Sequence, residues 1–100
     1  MIQWEYPPRC RDPHVLSARS HCEALLWNAP KDPQSKERVR LVTWTCDCGP
    51  AFFELCEAGG MRFIRRTQRV RGTLSIRETD RWPPGEADAM WTALLHGLVQ

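Results

Sequence analysis

Two strand-like runs on either side of Gly59-Gly60 constrain the fold more than any other feature. The runs read AFFELCEA (51–58) and MRFIRRT (61–67). A two-glycine step supplies the positive φ angles that a two-residue hairpin turn needs. Pairing outward from this turn sets apolar residues opposite apolar residues and acids opposite arginines, which stabilises antiparallel strands. The predicted pairs are Ala58 with Met61, Glu57 with Arg62, Cys56 with Phe63, Leu55 with Ile64, and Glu54 with Arg65.

Two further segments alternate in the way that strands do. Residues 37–46 (ERVRLVTWTC) are rich in β-branched side chains. Residues 69–77 (RVRGTLSIR) alternate as well and predict a third antiparallel partner with one solvated face. In that strand Val70, Leu74 and Ile76 point one way, and the remaining side chains, including Arg69, Arg71 and Arg77, point the other. We expect three or four antiparallel strands within 37–77.

Helices are predicted at both ends of this sheet. Asp12-Pro13 is a typical helix start, and apolar residues recur from there at three- and four-residue steps, so 13–28 is predicted to be helical. For residues 14–20 a strand stays open as the alternative. A second helix is predicted over 85–98, with acids in its first turn. Its apolar stripe comprises Ala87, Met90, Trp91, Leu94, Leu95 and Leu98.

The predicted fold class is therefore α+β. The whole chain (1–100) forms one small domain, with an N-terminal arm over 1–11 and both helices packed on one face of the antiparallel sheet. The order of helix, strands and helix resembles that of double-stranded-RNA-binding domains in topology only. Those domains open their second helix with lysines, whereas PPGEADAM (83–90) would repel phosphate.

Composition narrows the compartment and the classes of function. No apolar run reaches the roughly 18 residues that span a bilayer, and the N-terminus lacks a secretory signal, so we expect a cytoplasmic protein without membrane contact. Twelve of its fourteen basic residues are arginine, which is typical of a GC-rich bacterial genome. Five cysteines cannot all pair within one chain, and we expect reduced thiols. Phosphate-binding, dinucleotide and nucleophile motifs are absent from the sequence, so we predict no enzyme.

The leading functional hypothesis rests on arginine. Between Met61 and Arg77 the chain carries six arginines and no acid. The predicted hairpin register neutralises two of them with glutamates of the preceding strand. The others are predicted to bind nucleic acid or an acidic protein partner from one sheet face. They are Arg66, Arg69, Arg71 and Arg77.

Three alternatives remain open. We expect no cofactor by default, but Cys46-x-Cys48 is one residue short of a zinc knuckle and is a candidate half-site, with Cys10 and His14 to complete it. Trp4 and Trp82, both beside prolines, are candidates for an aromatic surface that binds a peptide or a small molecule. The edge strand over 37–46 is a candidate homodimer interface.

Overall fold

A computed structural model of the protein describes residues 12–30 and 36–100, so the predicted arm over 1–11 lies outside the described residues. The described chain forms four strands and one helix. Their bounds are β1 Arg40–Trp44, β2 Ala51–Ala58, β3 Met61–Val70, β4 Thr73–Glu78 and α1 Pro84–Leu95. The strands form one antiparallel sheet in the order β1-β2-β3-β4. The predicted α+β class with a four-stranded antiparallel sheet and a C-terminal helix is confirmed.

The predicted register of the first hairpin is also confirmed. Strands β2 and β3 pair from Ala58↔Met61 outward, through Leu55↔Ile64 and Glu54↔Arg65. The two turn residues, Gly59 and Gly60, have φ angles of 60° and 78°. Both angles lie in the left-handed region that glycine enters without strain, which explains why this dipeptide sets the register.

The prediction of one strand over 69–77 is wrong. A second two-residue turn at Arg71 and Gly72 divides that segment, with φ angles of 50° and 80°. Val70 therefore ends β3, and Thr73, its partner, begins β4. Apolar and polar residues alternate in the sequence across the turn, and for this reason the sequence pattern concealed it. The glycine at position 72 is the feature of the sequence that could have indicated this turn. In the structure Val70 lies on the face opposite to Leu74 and Ile76, so the prediction that these three side chains point one way is wrong.

One face of the sheet carries the main core. Phe53, Leu55 and Ile64 of the sheet pack against Trp91 and Leu94 of α1, all of them buried. On the opposite face Cys56, Ala58 and Phe63 form a smaller buried cluster. The alternation of strand side chains thus gives β2 and β3 two buried faces in the centre of the sheet.

The predicted C-terminal helix is confirmed, although it ends at Leu95 rather than at residue 98. Gly97 has a φ angle of 74°, its N–H donates to Leu94 O, and Leu98 N–H donates to Ala93 O. This pair of bonds is the Schellman termination, which requires a left-handed residue after the last turn. Within the described ranges, no helix has the length and apolarity needed to cross a membrane.

The predicted helix over 13–28 is wrong, and the strand considered for 14–20 is not formed either. Residues 12–30 contain a turn at Ser20 and His21 and two isolated bridges, from Glu23 to Val99 and from Asn28 to Glu78. The segment runs extended over the same sheet face as α1, and Val15, Leu25 and Trp27 pack on the core. Backbone bonds to the end of α1 and to β4 replace the intrahelical bonds. The likeness in topology to double-stranded-RNA-binding domains is lost with that helix.

Candidate metal centre and arginine hairpin

The β3–β4 hairpin extends past the rest of the sheet. Strand β2 begins at Ala51, which pairs with Gln68 of β3, and Arg69 N–H then donates to Pro50 O. Beyond Arg69 only β4 pairs with β3, so the end of the sheet is a two-stranded ribbon closed by the turn at Arg71 and Gly72. We call residues 66–77 the arginine hairpin.

The four predicted arginines lie on both faces and at the tip of this hairpin. Arg66 and Arg77 are directly opposite each other, on the face that carries the main core. Arg69 is three residues from Arg66 in the same strand, so its side chain lies on the other face. Arg71 occupies the turn. The expected single arginine-bearing face is therefore wrong. Arg66 and Arg69 are three residues apart in one strand, and the turn at Arg71 and Gly72 places Arg77 on the Arg66 face.

Arg66 is held differently from the other three. Its guanidinium carbon lies 4.6 Å from the ring centroid of Trp27, and its Nε is buried with no hydrogen-bond partner among the described residues. Burial lowers the pKa of Arg66, and the positive charge of Arg77 lowers it further. Sequence analysis missed Trp27 as the platform, because this contact joins the extended N-terminal segment to β3.

The arginines nearer the sheet centre are neutralised by acids. Arg62 binds Asp88 at 2.7 Å and lies 3.5 Å from Glu57. Arg65 binds Glu78 at 3.0 Å and lies 3.9 Å from Glu54. In contrast, across residues 12–30 and 36–100 no carboxylate forms an ion pair with Arg66, Arg69, Arg71 or Arg77. The unneutralised positive charge of β3 and β4 therefore lies in the arginine hairpin.

Exposed aliphatic side chains accompany these arginines. Val70, Leu74 and Ile76 are 50%, 58% and 41% exposed. Leu74 pairs with Arg69 and Ile76 pairs with Thr67, so both lie on the face opposite the main core. The hairpin surface thus mixes unpaired guanidinium groups with apolar contact area.

The second candidate site joins three of the four residues predicted as a metal alternative. One ligand atom each of His14, Cys46 and Cys48 lies within 4.8 Å of the others, and Cys48 Sγ is 3.3 Å from His14 Nε2. Cys46 is half-buried, whereas His14 and Cys48 are exposed. The fourth predicted ligand, Cys10, lies outside the described residues.

Backbone hydrogen bonds hold these ligands together. Cys46 N–H donates to Pro13 O at 2.9 Å, which fixes the extended segment beside the β1–β2 connection. Just before Cys46, the buried Thr45 donates its N–H to Phe53 O at 2.9 Å and accepts the Phe53 N–H on its hydroxyl at 3.0 Å. The sequence named these ligands, but their convergence depends on a segment that was predicted to be helical.

The structure gives less information on the residues predicted for an aromatic surface and for a homodimer interface. Trp82 is half-buried, packs on the main core and pairs its backbone with Arg62, while Trp4 lies outside the described residues. Strand β1 is an outer strand of the sheet, with Leu41 and Trp44 each 45% exposed, and the homodimer stays a prediction.

No protein-family model, curated protein or solved structure matches this chain. Its function is therefore inferred from the placement and chemistry of its own side chains.

Proposed function

We propose that the protein is a non-enzymatic module that binds double-stranded DNA through its arginine hairpin. The observation that carries the proposal is the distribution of Arg69, Arg71 and Arg77, which form no ion pair with a described residue. Arg69 and Arg71 lie on one face and at the tip of the two-stranded ribbon, and Arg77 lies on the opposite face of the adjoining part of the sheet, where β3 also pairs with β2. Arg66 adds a fourth charge from its position on Trp27.

The groove of a duplex suits this arrangement of charges. The major groove of B-form DNA admits a two-stranded β-ribbon, and the phosphates of the two strands line both of its walls. A ribbon in that groove can contact phosphates from both faces at once. Arg71 at the tip would then enter first, Arg69 would contact one wall, and Arg77 would contact the other wall from the opposite face at the base of the ribbon.

Other polyanions would contact fewer of these arginines at once. An acidic protein surface meets one face of a ribbon, so either Arg69 or Arg77 would remain unpaired. Double-stranded RNA has a deep and narrow major groove that excludes such a ribbon. Duplex DNA therefore explains the opposite orientation of these arginines best, and an acidic partner remains as the runner-up from the sequence.

The exposed apolar side chains of the hairpin and the expected cytoplasmic location are consistent with this proposal. Leu74 and Ile76 lie exposed on the Arg69 face, where they can meet thymine methyl groups or sugar carbons. The proposal places the protein in the cytoplasm of the cell, where DNA is present in bacteria and thiols stay reduced. It assigns no catalytic residue.

A charge-matched pair of variants tests the proposal. One variant replaces Arg69, Arg71 and Arg77 with alanine, and the control replaces Arg19, Arg38 and Arg40, which are also exposed but lie outside the hairpin. Binding to a fluorescent 20-base-pair duplex is followed by anisotropy. Because each phosphate contact contributes roughly tenfold through counterion release near 0.1 M salt, we expect the hairpin variant to lose about 100-fold or more in affinity. The control should lose far less.

Equal losses in the two variants would show that only net charge matters and would overturn the proposal. Competition with a single strand of the same length and with an acidic peptide identifies the polyanion. Stronger binding to the acidic peptide than to the duplex would favour the runner-up.

A further inference from the structure

We propose that His14, Cys46 and Cys48 bind one zinc ion. This site is separate from the DNA-binding proposal and does not depend on it. It joins the extended segment after residue 12 to the connection between β1 and β2, two parts of the chain that are more than 30 residues apart in sequence. The first observation is the convergence of the three ligand atoms within 4.8 Å.

The chemistry of these ligands selects the metal. Two cysteine sulfurs and one imidazole nitrogen form a soft donor set, which zinc accepts and which magnesium and calcium do not. Zinc binds such groups with tetrahedral geometry and without redox change, and the described residues supply three of its four ligands. The carboxylates of Asp12 and Asp47, the neighbours in sequence of His14 and the cysteines, do not belong to the converging group.

The observed distances are close to those of a zinc complex. Tetrahedral bonds of about 2.3 Å to sulfur and about 2.0 Å to nitrogen place neighbouring ligand atoms roughly 3.5–3.8 Å apart. Cys48 Sγ and His14 Nε2 are 3.3 Å apart, and no pair in the group exceeds 4.8 Å. Side-chain rotations therefore suffice to reach the zinc geometry, and the backbone can stay in place.

The fold holds the ligands before the metal arrives. The Cys46 N–H bond to Pro13 O ties the backbone beside His14 to the cysteine loop, and the buried Thr45 anchors that loop to Phe53. The extended conformation of the N-terminal segment is what brings His14 within reach. Zinc binding thus needs little further ordering of the chain, which favours affinity.

Binding is balanced by the release of protons. Both cysteines coordinate as thiolates and the histidine coordinates as neutral imidazole, so each zinc ion taken up sends two thiol protons to the solvent. No oxidant or reductant takes part. The bound ion then cross-links the extended segment to the β1–β2 connection, since each contributes at least one ligand.

The test uses the full chain, reduced and stripped of metal, and zinc chloride as the probe. Native mass spectrometry should show one zinc ion per chain, and titration with Co(II) should give the visible bands of a tetrahedral thiolate site. We expect the Cys48→Ser and His14→Ala substitutions each to weaken zinc binding by roughly tenfold to 100-fold. Both side chains are exposed, so these substitutions leave the fold intact. The matched control is Cys22→Ser, a cysteine outside the converging group.

Circular dichroism confirms that each variant is folded before its affinity is measured. The proposal is overturned if the wild-type chain takes up no stoichiometric zinc. It is overturned as well if Cys48→Ser and His14→Ala bind zinc as tightly as Cys22→Ser does. Loss of zinc with unchanged DNA binding would leave the function proposed for the arginine hairpin standing, so the two proposals fail separately.

Discussion

At the residue scale, the tip of the arginine hairpin holds an arginine where its turn favours glycine or asparagine. Arg71 has a φ angle of 50°, while the equivalent position of the first hairpin is Gly59, with a φ angle of 60°. A left-handed conformation costs an L-residue roughly 1–2 kcal/mol. Strained backbone positions of this kind cluster at functional sites. The charge of Arg71 at the tip fits a contact with phosphate.

The substitution Arg71→Asn should therefore separate stability from binding. Asparagine accepts the left-handed conformation, so the free energy of unfolding should rise by up to about 1 kcal/mol. The affinity for duplex DNA should fall roughly tenfold with the loss of one phosphate contact. Urea unfolding followed by tryptophan fluorescence and duplex anisotropy measure the two effects.

Arg71→Ala is the control, because it removes the same charge without relieving the backbone strain. It should lose similar affinity and gain no stability. An asparagine variant less stable than the alanine variant would contradict the account of the turn. Unchanged affinity in both variants would show that the tip does not contact DNA.

Cys56 is the second residue with a measurable consequence. Burial raises the pKa of its thiol from 9.0 to about 11; the charge of Arg65 opposes the shift, and those of Glu54 and Glu78 add to it. The folded state therefore favours the neutral thiol over the thiolate. This stabilisation is fully present below pH 9 and is lost as the pH rises towards about 11.

Between these two pH values the free energy of unfolding should fall more steeply for the wild-type protein than for Cys56→Ala. The variant keeps the other cysteines and lacks only the buried ionisable group. Urea unfolding at a series of pH values gives both slopes. Parallel slopes would show that the Cys56 thiol titrates alike in the folded and unfolded chain.

At the scale of elements, local sequence rules were sufficient to predict the pairing of β2 and β3, but they did not predict the conformation of the N-terminal segment. The first hairpin was predictable because its turn chemistry and its cross-strand pairs agree on one register. The segment over 13–28 has apolar residues at helical spacing, yet Leu26 is 68% exposed and Trp27 packs on the core. Its conformation depends on partners in β4 and after α1 that no local pattern contains.

For the candidate sites as well, the sequence indicated most of the residues but not the tertiary contacts between them. Cys46, Cys48 and the four arginines were identified by residue type and spacing. The position of His14 beside the cysteines, and that of Trp27 under Arg66, follow from the tertiary path of the extended segment. The placement of Arg69 and Arg77 on opposite faces follows from the turn at Arg71 and Gly72, which the alternation of the sequence concealed.

Gly97 tests how this extended segment is held. A Cβ atom at Gly97 would lie 2.3 Å from the backbone oxygen of Ser17, and the φ angle of 74° is unfavourable for any other residue. Arg19 N–H also donates to Gly97 O. We expect Gly97→Ala to lower the free energy of unfolding by roughly 2–4 kcal/mol, because it strains the Schellman turn and displaces the segment.

Gly85→Ala is the matched control for this prediction. It lies in the first turn of α1, and a Cβ atom there meets nothing within 4 Å. Since alanine favours a helix over glycine, the control should be neutral or more stable by up to about 1 kcal/mol. Urea unfolding of both variants decides the matter, and equal stability of the two would contradict the observed docking of the segment on the end of α1.

At the scale of the whole molecule, the charge is unevenly distributed although its net value is only +2. The central arginines of the sheet, Arg62 and Arg65, are neutralised by acids, and the arginines without an ion pair among the described residues lie at one end of β3 and β4. A small net charge thus coexists with a locally cationic ribbon. Long-range attraction to DNA should be weak, and binding should depend on close contact between the ribbon and the phosphates.

The two proposed sites meet at the base of this ribbon. Cys46 and Cys48 belong to the β1–β2 connection, which ends at Pro50, and Pro50 O accepts the Arg69 N–H at 2.8 Å. Zinc bound by His14, Cys46 and Cys48 would stiffen the loop that supports the start of the arginine hairpin. The outer strand β1 lies across the sheet from β4, so a homodimer through β1 would leave the hairpin accessible.

The salt dependence of duplex binding tests the central proposal most directly. The logarithm of the association constant is measured against the logarithm of the salt concentration, between about 50 and 200 mM. Arg69, Arg71 and Arg77 on phosphates should contribute about −3 to the slope, and the alanine variant of these three arginines should lose that contribution. A slope that stays the same in that variant would show that DNA contacts another part of the protein, and a flat slope in the wild type would contradict phosphate binding altogether.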